Sequence, residues 1–121
     1  MSTTTENKQL TVTKADGVAE IHIHVNKTNA YDIDYYREFN AAIDDIRFDQ
    51  DIQAVILVSD MPKFFSAGAN IDFLKNSDPK YKTQFCLFCN ETVDTIARSP
   101  PVYNACLNGH PVGGGLELAL A

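Results

Sequence analysis

Glu117 stands three residues after Gly114 in "HPVGGGLELALA", His110 to Ala121, where three consecutive glycines open a run of helix formers. One helical turn separates the two residues, so the Glu117 carboxylate can project toward the side that Gly114 presents. A glycine leaves its backbone N–H unshielded by a β-carbon, and a ligand oxygen can approach it to hydrogen-bond distance. The start of a helix adds unpaired N–H donors and the positive end of the helix dipole, which favour negative charge developing nearby. A carboxylate beside such an oxyanion site could carry acid–base chemistry. The plainer reading makes Glu117 a first-turn helix glutamate, favoured by the dipole and facing water.

A second stretch, "FSAGAN" (Phe65 to Asn70), repeats the same local grammar: a strand, then small residues around a glycine, then a turn or helix. Two N–H groups from separate loops of this kind can hold one oxygen as an oxyanion hole. Other glycine-rich chemistries lack their partners. The chain has no Gly-Lys-Ser/Thr for a phosphate loop, no G-x-G-x-x-G for a dinucleotide and no G-x-S-x-G nucleophile elbow.

Metal chemistry is not expected. Cys86 and Cys89 form a C-x-x-C, but zinc needs two further ligands, and His110 stands without a second C-x-x-C or an H-x-x-x-H. "TQFCLFCNETVDTIA" has helical apolar spacing through Phe85, Cys89, Val93 and Ile96, so the cysteines read as small buried hydrophobes on or beside that face. His22 and His24 lie two apart on a strand and share one face, which reads as its solvent side. With Cys106 the cysteines number three, and no export signal opens the chain, so a disulfide framework and glycosylation at Asn26 or Asn90 are both discounted.

Stepping from these residues to the chain that must position them, 121 residues make one domain, and 45% hydrophobic residues supply a real core. Sixteen acidic against ten basic residues disfavour nucleic acid as a partner. No apolar run is long enough to span a bilayer, and the expectation is a soluble, cytoplasmic protein without a membrane partner. Residues 1–8 read as a flexible tail and 9–121 as the folded core. "QLTVTKADGVAEIHIHV" alternates on both sides of Asp16-Gly17, a strong hairpin signal. A helix is expected over Ile33 to Phe48, with Tyr36, Phe39, Ile43 and Ile46 on its buried face. Ala54 to Val58 and Val102 to Leu107 read as strands covered on both faces, and Asp78-Pro79 opens a helix running to about Ala97. Strands alternating with helices point to α/β with a mostly parallel sheet.

Three stretches together resemble the crotonase family, the enoyl-CoA hydratase and isomerase superfamily, from about Leu10 to Ala121. "FFSAGANI" is similar to its first oxyanion-loop motif, with Asn70 where aspartate is usual. "NGHPVGGGLELALA" is similar to its second, with Pro111 where a small or apolar residue is commoner. "NKTNAYD" resembles the loop that opens its acyl-CoA site. The resemblance implies a crotonase-like (ClpP/crotonase) ββα spiral. It implies that the N–H groups of Ala69 and Gly114 hold a CoA-thioester carbonyl, that Ala67, Gly68, Ala69, Asn70, Ile71, Gly114 and Lys27 bind the CoA ester, and that Glu117 is the first of two hydratase glutamates.

By the same resemblance the substrate is an α,β-unsaturated acyl-CoA, to which water is added. No cofactor is needed beyond the coenzyme A thioester itself, and the parent assembles as trimers or hexamers. Family members run to about twice this length, so the chain is expected to be the N-terminal half, ending just after the helix that follows the second loop begins. Double-bond isomerisation, ring hydrolysis, and a non-catalytic thioester-binding or assembly module remain open as alternatives.

Overall fold

The computed structural model describes residues 2–121. Its first element, β1 (Thr3–Glu6), corrects the expected flexible tail over 1–8: the strand pairs antiparallel with β2 (Leu10–Ala15), Thr3 opposite Lys14. All four β1 residues are exposed, so backbone pairing holds them and no apolar pattern announced the strand. Met1 of that tail lies outside the described residues.

Asp16 and Gly17 then turn the chain with φ of 52° and 80°, the left-handed pair that a two-residue hairpin requires. β3 (Val18–Ile23) returns against β2, and its alternation buries Ala19, Ile21 and Ile23 on one face. His22, on the other face, and His24, just past the end of the strand, are half-buried where a solvent face was expected. The following helix, α1 (Ile33–Arg47), starts where the Asp32 side chain accepts the Tyr35 N–H at 3.0 Å. Its apolar stripe, Tyr36, Phe39, Ile43 and Ile46 with Tyr35 and Ala42, is buried. Each such side chain contributes about 1.5–3 kcal/mol by leaving water.

β4 (Ala54–Ser59) runs parallel to β3. Val55, Leu57 and Ser59 are buried while Ala54, Ile56 and Val58 are half-buried, so one face is packed and the other only partly covered. After the short β5 (Phe64–Ser66) come α2 (Ile71–Lys75) and the long α3 (Pro79–Arg98), which the Asp78 carboxylate caps at 2.8 Å from Tyr81 N. The α3 face that meets α1 buries Phe85, Thr92 and Ile96, and Asn40 Nδ2 donates to Thr92 Oγ1 across the two helices at 2.6 Å.

Two expectations fail on the far side. β6 (Val102–Cys106) pairs parallel with β4 but has no strand beyond it among the described residues, and Val102, Asn104 and Cys106 are exposed, not covered on both faces. Cys86 is exposed and Cys89 half-buried, because the side of α3 that carries Cys86 faces outward. The main sheet runs β1-β2-β3-β4-β6, antiparallel at its start and parallel from β3 onward. A second, two-stranded sheet joins β5 to β7 (His110–Pro111) in parallel, and α4 (Gly114–Leu120) leaves it. This small sheet sets the two glycine-bearing loops side by side.

Candidate active site

The first loop is held along its length by the β3–α1 connection. Ala67 N donates to Thr28 O at 2.9 Å, Tyr31 N to Gly68 O at 2.8 Å, and Asn70 N to Tyr31 O at 2.8 Å. Tyr31 and Ala69 thus form a parallel bridge. In such a bridge the Tyr31 backbone takes the groups on either side of Ala69, and successive residues of an extended chain face opposite ways. The Ala69 N–H is therefore turned away. Of the N–H groups from Ala67 to Asn70, it alone has no acceptor among the described residues.

The second loop is fixed by Val112 N donating to Ser66 O at 2.9 Å and His110 N to Lys63 O at 3.0 Å. Gly113 caps α4 with φ 55° and no side-chain hydrogen bond, and neither Gly113 N nor Gly114 N finds an acceptor among the described residues. The loops touch: a β-carbon on Gly68 would lie 3.0 Å from Val112 O and 3.3 Å from Gly114 N. Free N–H groups of Ala69 and Gly114 therefore belong to two loops in direct contact.

The three glycines answer to three different demands. Gly113 has open space around it but a left-handed backbone. A β-carbon on Gly114 would overlap the Tyr31 hydroxyl and come within 2.7 Å of its Cζ, and one on Gly115 would lie 2.6 Å from Ser66 Cβ. Two of the three are thus required by close approach of the protein to itself, whereas the sequence alone pointed only to approach by a ligand.

Three polar residues that sequence reasoning did not single out do the positioning. Asn29 is fully buried, with φ 51°, a left-handed conformation that asparagine tolerates. Its side chain accepts Val25 N–H at 2.9 Å and donates to Ser59 Oγ at 2.7 Å, Phe65 O at 3.2 Å and Ile23 O at 3.3 Å. Ser66 Oγ donates to Asn29 O at 2.9 Å and accepts Gly68 N–H at 3.3 Å. Tyr31 closes the set, its ring within 4.9–6.1 Å of Tyr35, Tyr36 and Phe85 and its hydroxyl on Gly114. Burial pushes the Tyr31 phenol up to about 12, electrostatic interaction with the Cys89, Glu117 and Cys86 side chains adds to this, and a hydrogen bond with Tyr36 acts the other way. Signals for the set were present: Asn29-Ala30-Tyr31 ends the loop read as opening the acyl-CoA site, and Ser66 precedes Ala67-Gly68.

The remaining candidates divide. Glu117 lies on the first turn of α4, exposed, with no hydrogen bond or ion pair among the described residues. Asn70 spends its carboxamide oxygen on capping α2, accepting Phe73 N–H at 3.1 Å, a task aspartate performs equally well. Ile71 is 69% exposed, and Lys27 is exposed on the β3–α1 connection. The ledge between the loops is open. A cleft of about 440 Å³ lies elsewhere, beside α2 and α3, lined by Phe73, Asn76, Ser77, Asp78 and Tyr81. Among the described residues no cluster of three metal-ligating side chains occurs, and no helix is long and apolar enough to cross a membrane.

This arrangement matches known proteins over nearly its whole extent. Residues 13–121 match the family model described as enoyl-CoA hydratase/isomerase. The chain superposes on a crystal structure of an enoyl-CoA hydratase from Geobacillus kaustophilus HTA426 with a TM-score of 0.98 and 68% identity, over 99% of this chain and 46% of that one. It is 39% identical over 100 residues to benzoyl-CoA-dihydrodiol lyase of Aromatoleum evansii, covering 78% of this chain and 18% of the relative. It is 29% identical over 93 residues to mouse mitochondrial methylglutaconyl-CoA hydratase, covering 77% of this chain and 30% of the relative. The chain therefore spans less than half the length of each of these proteins.

Proposed function

Because the chain belongs to the enoyl-CoA hydratase/isomerase family and has its crotonase-type α/β fold, we propose that the whole protein adds water to an α,β-unsaturated acyl-CoA thioester. The observation that carries this reading is the pair of free N–H groups, Ala69 and Gly114, on two loops in contact. Hydration of the double bond pushes electron density onto the thioester oxygen, and two preorganised donors aimed at that oxygen stabilise the resulting enolate. Glu117, one turn beyond Gly114, is the acid or base that handles the proton at the neighbouring carbon. The thioester is substrate rather than resident cofactor.

Ala67, Gly68 and Ile71 would border the CoA moiety through their backbone and exposed surface, with Asn70 holding α2 in place. Lys27, exposed on the adjoining connection, would meet a CoA phosphate. Val102, Leu107, Leu116 and Leu120 are exposed by 64%, 55%, 42% and 77%, apolar surface that a trimeric or hexameric parent would cover.

Mass spectrometry of products from the whole protein, given a series of enoyl-CoA thioesters, tests the reaction. A gain of one water per turnover supports it. Glu117→Gln keeps shape but cannot exchange a proton, and should retain CoA-ester binding while losing at least about a hundredfold in rate. A variant with wild-type turnover would remove Glu117 from the chemistry. The 39% identity to a benzoyl-CoA-dihydrodiol lyase favours a second reading, a lyase reaction on a CoA-bound dihydrodiol at the same oxyanion site. The same product masses distinguish it.

A further inference from the structure

Resting on the hydration reading, we infer that Tyr31 is a positioning residue that sets the spacing of the two oxyanion donors, its main chain fixing Ala69 and its hydroxyl fixing Gly114. The main-chain half is a pair of hydrogen bonds. Tyr31 N donates to Gly68 O at 2.8 Å and Tyr31 O accepts Asn70 N–H at 2.8 Å, so the peptide groups on both sides of Ala69 are tied to one residue and the free Ala69 N–H is held facing away from it. The side-chain half is packing. The phenol tip stands where a Gly114 β-carbon would be, with Cζ 2.7 Å and Cε2 3.0 Å from that position, so the hydroxyl lies against the residue whose N–H is free at the start of α4.

Both attachments are stiff. The ring is 7% exposed, with its centroid 5.8 Å from Tyr35, 4.9 Å from Tyr36 and 6.1 Å from Phe85, and it cannot swing aside without moving α1 or α3. Gly114 is backed on its other side by Gly115 N donating to Val112 O at 2.9 Å and by Val112 N donating to Ser66 O at 2.9 Å. Among the described residues no hydrogen bond ties Ala69 or Gly114 itself to the opposite loop, so the distance between the two donors depends on what packs between them. Tyr31 spans that distance: its backbone is in register with one loop, and the far end of its ring touches the other. A side chain one oxygen shorter leaves a gap beside Gly114 too small for water, and the lining loses its contacts on that side. Donors act together on one oxygen only when both are held to within about 0.5 Å, and a misplacement of about 1 Å costs about a hundredfold in rate.

Tyr31→Phe in the whole protein removes that oxygen and keeps the ring and the main-chain bridge. With crotonyl-CoA as substrate, kcat should fall about tenfold, the cost of a displacement smaller than 1 Å, with KM changed less than about twofold. The spectroscopic readout is the infrared carbonyl stretch of bound butyryl-CoA carrying 13C at the thioester carbon, a saturated ester that cannot be hydrated. Two aligned donors lower its frequency relative to the ester in water. Tyr31→Phe should lose part of that lowering, whereas Tyr35→Phe, which removes a neighbouring buried hydroxyl that has no hydrogen-bond partner among the described residues, should keep all of it. Because the Tyr31 hydroxyl acts through Gly114, the rate losses of Tyr31→Phe and Gly114→Ala should combine to less than their product. The full lowering in Tyr31→Phe overturns the inference whatever its kcat, and an equal loss in Tyr35→Phe does so by making the effect one of the whole aromatic cluster. Rate losses that multiply in full would put the hydroxyl on the substrate and overturn it as well. A parent protein that fails to bind butyryl-CoA, or binds it with no lowering, overturns the oxyanion reading itself, and this is told apart because it is read before any substitution.

Discussion

The α-carbon of Gly114 and the hydroxyl of Tyr31 are packed so closely that no β-carbon fits between them. Even Gly114→Ala must therefore displace either a ring buried among aromatic neighbours or the first turn of α4. Overpacking of this kind costs about 1–3 kcal/mol, and loss of one aligned oxyanion donor costs about a hundredfold in rate or more. Thermal melting and steady-state kinetics of the whole protein should show both effects. A folded variant with full activity and unchanged stability would sink the oxyanion assignment of Gly114.

Asn29 is the joint between the main sheet and the first loop. Asn29→Ala removes the side-chain bonds to Val25, Ser59, Phe65 and Ile23 and puts alanine at φ 51°. Unpaired buried groups cost about 1–3 kcal/mol, and the left-handed backbone adds about 1–2 kcal/mol. Urea unfolding should report a loss of at least about 2 kcal/mol. A loss under about 0.5 kcal/mol would mean that the loop is held from elsewhere.

His22 lies between two acids, with Nδ1 2.9 Å from Asp60 Oδ1 and Nε2 3.1 Å from Glu20 Oε2. Partial burial lowers its pKa, but the bonds and charges of Asp60 and Glu20 outweigh that and raise it above the ordinary histidine value. The charged ring thus stabilises the fold fully below about pH 6.5, its unfolded value, and loses that contribution as pH rises through the raised folded value. The groups are partly exposed, so the contribution is at most about 1 kcal/mol. Melting temperatures from pH 6 to 9 should fall by a few degrees more for the parent than for His22→Gln. Parallel curves would exclude the pair as a pH-dependent brace.

Leu118 is buried in the core at 2% exposure, but Leu116 and Leu120 on α4, with Val102 on β6 and Leu107 just after it, face outward. Exposed large apolar side chains, and a sheet edge at which parallel pairing ends, are normally covered by another chain or segment. The 121-residue chain should sediment as a dimer or larger at micromolar concentration. A 13.4 kDa monomer that melts cooperatively would show that this flank needs no cover.

Local physics made most of the elements legible in the sequence. Asp16-Gly17 demanded a hairpin because left-handed backbone is cheap there, Asp32 and Asp78 cap the helices they precede, and the stripe Tyr36-Phe39-Ile43-Ile46 has one buried side. The two glycine-bearing loops were legible as small-residue segments, with Ala69, Gly114 and Glu117 named from them as candidates. Their neighbours were not. β1 has no apolar face to betray it, and β6 has the β-rich sequence of a covered strand yet sits at an edge, since strand order depends on which segments pair far along the chain. The reason for each glycine was equally hidden. That Gly114 must accommodate Tyr31, and Gly115 Ser66, follows only once β5 and β7 bring together residues separated by dozens of positions. Spacing along a chain carries local conformation, whereas which side chain fills the space beside a backbone atom is decided by packing between distant segments.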